Sequence, residues 1–211
     1  LACEALLEAD RLLAAQPDLG LLWVLNPDCV VPAETPAALL RAQAAAGPFA
    51  IMGSRILYHD TDRIHADGGR VSRWSGICAS VNRLAPAGAP TPDPATIDFV
   101  IGANMVVSRD FLAAVGPMHE DYFLYYEEVD WAVRRGALPL AYAADAPVWH
   151  HGGTAIGTGR PDERPSAFSN YFNYRNRMRF MRRFHPARLP VAWLIGLAQI
   201  ARSLGRDDAA R

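Results

Sequence analysis

Runs of apolar residues, and the breaks between them, divide this chain into alternating helix and strand candidates. At the amino end Ala2, Ala5, Leu6, Ala9, Leu12 and Leu13 recur at helical spacing, while Glu4, Glu8, Asp10 and Arg11 mostly fill the other face. This predicts a helix that Pro17, Asp18 and Gly20 end. Leu21–Leu25 is unbroken apolar, the signature of a strand buried on both faces. Thr35 and Pro36 open a helix to about Ala46, with Thr35 as cap and Pro36 in the first position, and Gly47-Pro48 closes it. Residues 49–57 form a second strand candidate. Residues 59–94, rich in Gly, Pro, Asp and Arg, predict a loop or short hairpins around residues 70–75; such a segment either closes over a ligand or is a surface excursion. The apolar run 98–109, interrupted by Gly102 and Asn104, leads into a helix over 110–115. A turn over 116–121 then precedes a helix from about Glu127 to Gly136, with Asp130 placed to pair with Arg134 at i+4. Residues 140–143 are a short strand leading to Trp149 and His150. The alternation is that of an α/β fold.

Composition changes this picture little. A chain of 211 residues that is 51% hydrophobic and 20% charged can bury the core of one domain. Its net charge of -1 supplies no overall electrostatic drive towards nucleic acid. Cys3, Cys29 and Cys78 are odd in number, widely spaced and without a CxxC pair. They indicate neither a disulfide framework nor a zinc-thiolate site, and a reducing compartment is the default.

The chemistry concentrates at three polar punctuations. Asn26-Pro27-Asp28 follows the apolar run that ends at Leu25. Glu127, Glu128 and Asp130 crowd the start of a helix after an aromatic run. His150 and His151 follow Pro147-Val148-Trp149. Like charges so close are costly unless a cation or a proton requires them. Ligands of open α/β sheets bind outside the carboxyl ends of the strands, so the three together suggest one site for a divalent metal and a base. Each has a plainer reading. Asp28 suits a turn, and the helix dipole alone favours Glu127 and Glu128. Adjacent histidines on a strand point in opposite directions, so at most one of the pair enters a given site. Gly102 marks either a close backbone approach or a bulge.

The order of these segments resembles the family 2 glycosyltransferases: an apolar strand then Asn-Pro-Asp, Ile-Gly-Ala-Asn-Met-Val-Val-Ser-Arg, Phe-Leu-Tyr-Tyr-Glu-Glu-Val-Asp-Trp with Arg134, Val-Trp-His-His-Gly-Gly, and Tyr-Arg-Asn-Arg from Tyr174. The nearest branch is the bacterial rhamnosyltransferase-like enzymes of cell-wall and surface polysaccharide assembly. The resemblance covers residues 1 to about 184. It implies a GT-A fold, a mixed sheet flanked by helices, with residues 1–165 as the later part of the catalytic domain and residues 166–211 as a basic and apolar helical tail. It also implies inverting transfer from a nucleotide-diphosphate sugar to a hydroxyl of a glycan or lipid-linked acceptor.

Carried over by position, Asn26 to Asp28 occupies the place of the family's DxD motif, with Asn for the first Asp, so Asp28 would hold Mn²⁺ or Mg²⁺. His150 falls where some members supply a further ligand. Glu128 stands where the catalytic base is found, with Asp130 the competing assignment and Glu127 beside them. Gly102, Ala103, Asn104 and Met105 match a segment lining the donor and acceptor pocket. A hard cation stabilises the diphosphate leaving group, and a carboxylate on the opposite face of the sugar takes the acceptor proton.

The family's nucleotide-binding strands precede the metal motif. This chain begins inside a helix without a start methionine or signal peptide, so the resemblance implies that those strands are missing. The expectation is that these 211 residues alone bind donor weakly and are inactive. From Arg175 to Arg206 there are eight arginines and no acidic residue, with Tyr171, Phe172, Met178, Phe180, Met181 and Phe184 among or just before them. Pro190 opens an apolar stretch over 191–201, too short to span a bilayer. This region either lies on an anionic membrane, packs on the domain with its arginines solvated, or sends Arg175 and Arg177 to the donor phosphates. The expected location is cytoplasmic, with peripheral contact at the inner face of the plasma membrane and no nucleic-acid partner. Two other classes stay open: a noncatalytic binding domain of the same fold, and a metal-dependent hydrolase, which would usually show a fuller ligand set such as His-x-x-x-His.

Overall fold

A computed structural model describes residues 18–151 and 165–208 together with residues 11, 15 and 16, residues 203–208 by their backbone only. The helix expected over the first residues lies almost wholly outside the described residues. The remainder is a mixed α/β fold, a mixed sheet flanked by helices. Its strands are β1 (Leu21–Leu25), β2 (Cys29–Val30), β3 (Ile51–Tyr58), β4 (Ile64–Ala66), β7 (Asn104–Ser108) and β8 (Ala141–His150), in the order β1-β7-β3-β8-β2 with β4 on β3. Strands β3 and β8 run parallel and every other pair is antiparallel. A separate hairpin joins β5 (Gly69–Val71) to β6 (Cys78–Ser80).

Burial on two faces explains the unbroken apolar runs. Along β3 and β7, Ile51, Met105 and Val107 enter the larger core, while Met52 and Val106 enter the smaller core on the other side. Alternate residues of a strand point to opposite faces, so strands covered on both sides have no polar face to show. Helix α1 (Thr35–Ala46) covers the smaller core through Ala38 and Leu39. The larger core holds Phe111 and Leu112 of α2 (Arg109–Val115) and Val129, Trp131 and Ala132 of α3 (Glu127–Val133). It also takes Phe180 and Met181 of α4 (Ala167–Phe184) and Ala192 of α5 (Leu189–Asp208).

Several boundaries differ from the sequence expectation, each for a physical reason. Thr35 does not cap α1: its buried hydroxyl donates to the Pro147 carbonyl at 3.1 Å, and Glu34 occupies the cap position without a side-chain bond. Helix α2 is capped by Ser108, whose hydroxyl accepts from Phe111 N–H at 3.2 Å. The run 98–109 contributes only β7 because Gly102 and Ala103 form a turn before it. Residues 141–150 make one strand that pairs in parallel with β3 in two stretches, Met52–Ser54 with Ala141–Ala143 and Ile56–Tyr58 with Val148–His150, separated by a register shift. Helix α3 stops at Val133, where Arg134 turns back to Asp130.

Candidate functional site

The carboxyl ends of β1, β3 and β8 lie at one end of the sheet, because Leu25 pairs with Asn104 at the start of the antiparallel β7 and Tyr58 pairs with His150. The turn after β1 is built there. Asn26 N–H donates to the Ala103 carbonyl at 2.9 Å, and the Asn26 carbonyl accepts from Cys29 N–H at 3.1 Å. Cys29 pairs with His150 across β2 and β8, and the Asp28 carbonyl accepts from His151 N–H. This lattice puts Asp28 Oδ1 3.0 Å from His150 Nε2. Cys29 Sγ points to the same place, so Asp28, Cys29 and His150 each offer a ligand atom, all within 4.8 Å of one another.

The donor set suits a divalent cation. Two ligand atoms about 2.1 Å from one ion and roughly at right angles stand about 3.0 Å apart, the separation found between Asp28 and His150. On its other side His150 Nδ1 lies 3.2 Å from His65 Nδ1, and the two rings stack at 5.2 Å. Burial and the neighbouring His150 and Arg83 hold His65 down at about 4, so it is neutral and able to accept from His150 at neutral pH. That fixes His150 with Nε2 facing Asp28, the arrangement that orients a ligating histidine. Burial and the Asp28 charge push the Cys29 thiol up to about 11, and it donates to the Ala103 carbonyl at 3.4 Å. Cys29 is therefore a protonated neighbour to a hard cation and a ligand only to a soft one.

The second part of the site stands on strained backbone. Phe123, Tyr125 and Tyr126 all have φ between 63° and 72°, the left-handed region that side chains as large as these rarely adopt. Asn176 of α4 holds this run in place. Its amide donates to the carbonyls of Tyr122, Leu124 and Tyr125 at 2.8, 2.6 and 3.0 Å. Tyr126 OH is anchored on the Gly76 carbonyl at 2.7 Å. The strained turn delivers Glu127 and Glu128 to the start of α3. Both are partly covered, and one oxygen of each, Oε2, is shut off from solvent with no hydrogen-bond partner among the described residues. Burial raises Glu127, and burial with the Glu127 charge pushes Glu128 up to about 8. Gly102 faces Glu128 with room between them: a Cβ placed on the glycine would make only ordinary van der Waals contact with the Glu128 side chain, at 3.9 Å.

Other residues singled out in the sequence are committed elsewhere. Asp130 is fully buried and accepts from Arg134 Nε at 2.7 Å and Tyr122 OH at 3.0 Å, with Arg183 at 3.2 Å. Its oxygens are occupied in tying α3 to α4. Asn104, 2% exposed, accepts from Trp23 Nε1 and donates to Ser54 Oγ, both at 2.7 Å, so its amide bridges β1, β7 and β3. Arg175 donates to the Asp121 carbonyl and lies over the Phe172 ring at 5.1 Å. Arg177 is buried, bonded to Gln199 at 2.8 Å. His151 stacks on His59 with centroids 3.7 Å apart. Cys29, His65 and Asn176 were not legible as site residues, since strand register and helix docking give them their places. The only hint was the adjacency of Cys29 to Asp28.

No protein-family model matches the chain, and no curated protein matches it.

Proposed function

We propose that the chain carries the metal and base sites of an inverting glycosyltransferase of GT-A type, acting on a nucleotide-diphosphate sugar and a hydroxyl of a glycan or lipid-linked acceptor. The observation that carries this reading is the segment Gly102-Ala103. Its Ala103 carbonyl takes bonds from Asn26 and Cys29 beside Asp28, and its Gly102 faces Glu128 across a gap that a single Cβ would span, 3.9 Å from the Glu128 side chain. The cation position and the base in this reading stand on either side of that segment, near the carboxyl ends of the strands.

In this reading Asp28 and His150 hold Mn²⁺ or Mg²⁺, which when bound supplies positive charge to the departing diphosphate. Asn26 sets the turn that aims Asp28, and His65 fixes the ring of His150. Glu128 accepts the proton of the attacking hydroxyl. Base assistance of this kind contributes about 10²- to 10⁴-fold. Glu127 keeps Glu128 basic by adding negative charge. One displacement with one base inverts the anomeric centre.

Proton NMR of the product from an α-linked donor tests this, using the natural gene product that contains the chain. A β-linked glycoside on the acceptor is expected. Free sugar as the sole product would mean hydrolysis instead. Metal binding without any turnover across UDP-, GDP- and dTDP-sugars would favour a noncatalytic domain.

A further inference from the structure

Helix α5 leaves most of its large apolar residues outside. Its inward side carries Leu189, Ala192, Gly196 and Gln199, with Ile195 half-buried, while Trp193, Leu194, Leu197 and Ile200 stand exposed at the spacing of a single helical face. Leu194 is 67% exposed and Trp193 53%. The inward side is fixed by Arg177 of α4, which is buried, donates to Gln199 at 2.8 Å and comes so near Gly196 that a Cβ there would lie 2.8 Å from its NH2. The helix therefore cannot roll its large apolar residues into the core without breaking that contact. Ordinary surface helices do the reverse, and an apolar face of this extent marks an interaction surface.

We infer that the outer face of α5 docks on an anionic lipid bilayer, with the helix lying in the plane of the interface. The charge around it selects that occupant. Residues 166–206 hold no Asp or Glu and eight arginines, of which Arg175, Arg177, Arg179 and Arg183 are engaged within the fold, and α5 itself ends on Asp207 and Asp208. The exposed Arg182 lies near the end of α4, Arg188 sits in the turn before α5, and the exposed Arg202 follows the apolar stretch. Arginines at the ends of an apolar stripe reach headgroup phosphates while their stems lie on the acyl boundary. Arg188 also covers the ring of Trp74 at 4.5 Å, and Trp74 is 60% exposed, so a second tryptophan stands at the amino end of α5. Tryptophan with arginine is the pairing enriched at the interface between headgroups and hydrocarbon. Among the described residues no helix is long and apolar enough to cross a membrane, so the mode is lying on the surface. This inference does not depend on the transferase reading.

Co-sedimentation of the chain with vesicles of equimolar phosphatidylglycerol and phosphatidylcholine, against vesicles of phosphatidylcholine alone, tests it. The chain is expected to bind the anionic vesicles and to lose most of that binding at high salt. Leu194→Gln with Leu197→Gln should lower the partition coefficient roughly tenfold or more, and Arg188→Gln with Arg202→Gln several-fold. Leu194, Leu197 and Arg202 are exposed and Arg188 is half-buried at the surface, and circular dichroism should show the fold unchanged. Wild type that stays in the supernatant with anionic vesicles would overturn the inference. So would vesicle binding indifferent to the leucine changes. A dimer in light scattering that these changes convert to monomer, without vesicle binding, would assign the face to a second copy of the chain.

Discussion

Glu128 shows how a single residue can be read from its surroundings. Its folded pKa, about 8, lies above the ordinary value of 4.5 because burial and Glu127 penalise the charge. Turnover is therefore expected to rise with pH up to about 8 as the base form fills. Stability should move the other way. Between about 4.5 and about 8 the folded chain keeps a proton that the unfolded chain releases, so unfolding free energy falls as pH rises through that window. Glu128→Gln should flatten this fall, and thermal melts of both proteins from pH 5 to about pH 9 would check it; parallel curves would remove the buried charge from the explanation. Asp130 has the opposite character. With Arg134, Arg183 and Tyr122 gathered on a fully buried carboxylate, Asp130→Ala should cost about 3 kcal/mol or more, read as a lower urea midpoint. At His65, replacement by Phe keeps a ring to stack on Tyr58 but removes the acceptor for His150 Nδ1. Metal affinity by calorimetry should fall by about 10- to 100-fold.

Among the elements, those with a local signal were legible and those made by pairing were not. The apolar run of β1, the Thr-Pro start and Gly-Pro end of α1, and the Asp130–Arg134 spacing of α3 are all readable within a few residues of sequence. Strand β2 has two residues and exists only because β8 lies beside it, and β4, β5 and β6 have three residues each. The site divides the same way. Asp28, Glu128 and His150 stand where apolar runs end, which the sequence displays. Cys29 and His65 gain their meaning from register, and Asn104, polar within an apolar run, proved to be a buried bridge between strands. The element contact that most constrains the site is the seat of α4 on the segment at Gly76. A Cβ on Gly76 would lie 2.8 Å from Met181, at a φ of +70°. Gly76→Ala is expected to destabilise by about 1–3 kcal/mol, measured by thermal melting, and to weaken the anchor of Tyr126. An unchanged melt would mean that α4 can shift without strain.

At the scale of the molecule, the fold gathers Asp28, Cys29 and His150 at its strand ends and packs its last two helices on the larger core. From helix α4, Asn176 and Arg183 brace the strained turn and Asp130 of α3, and Arg177 sets the rotation of α5. The central claim is that Asp28 and Glu128 belong to one site with different roles. The most direct test is release of nucleoside diphosphate from a panel of UDP-, GDP- and dTDP-sugars by the natural gene product, with Mn²⁺ or Mg²⁺ and after chelation, for wild type, Asp28→Ala and Glu128→Gln. The account predicts metal-dependent release that falls by about 10²-fold or more in Glu128→Gln with metal binding intact, and that is lost together with metal binding in Asp28→Ala. Release that survives both changes, or that proceeds unaltered after chelation, would contradict it.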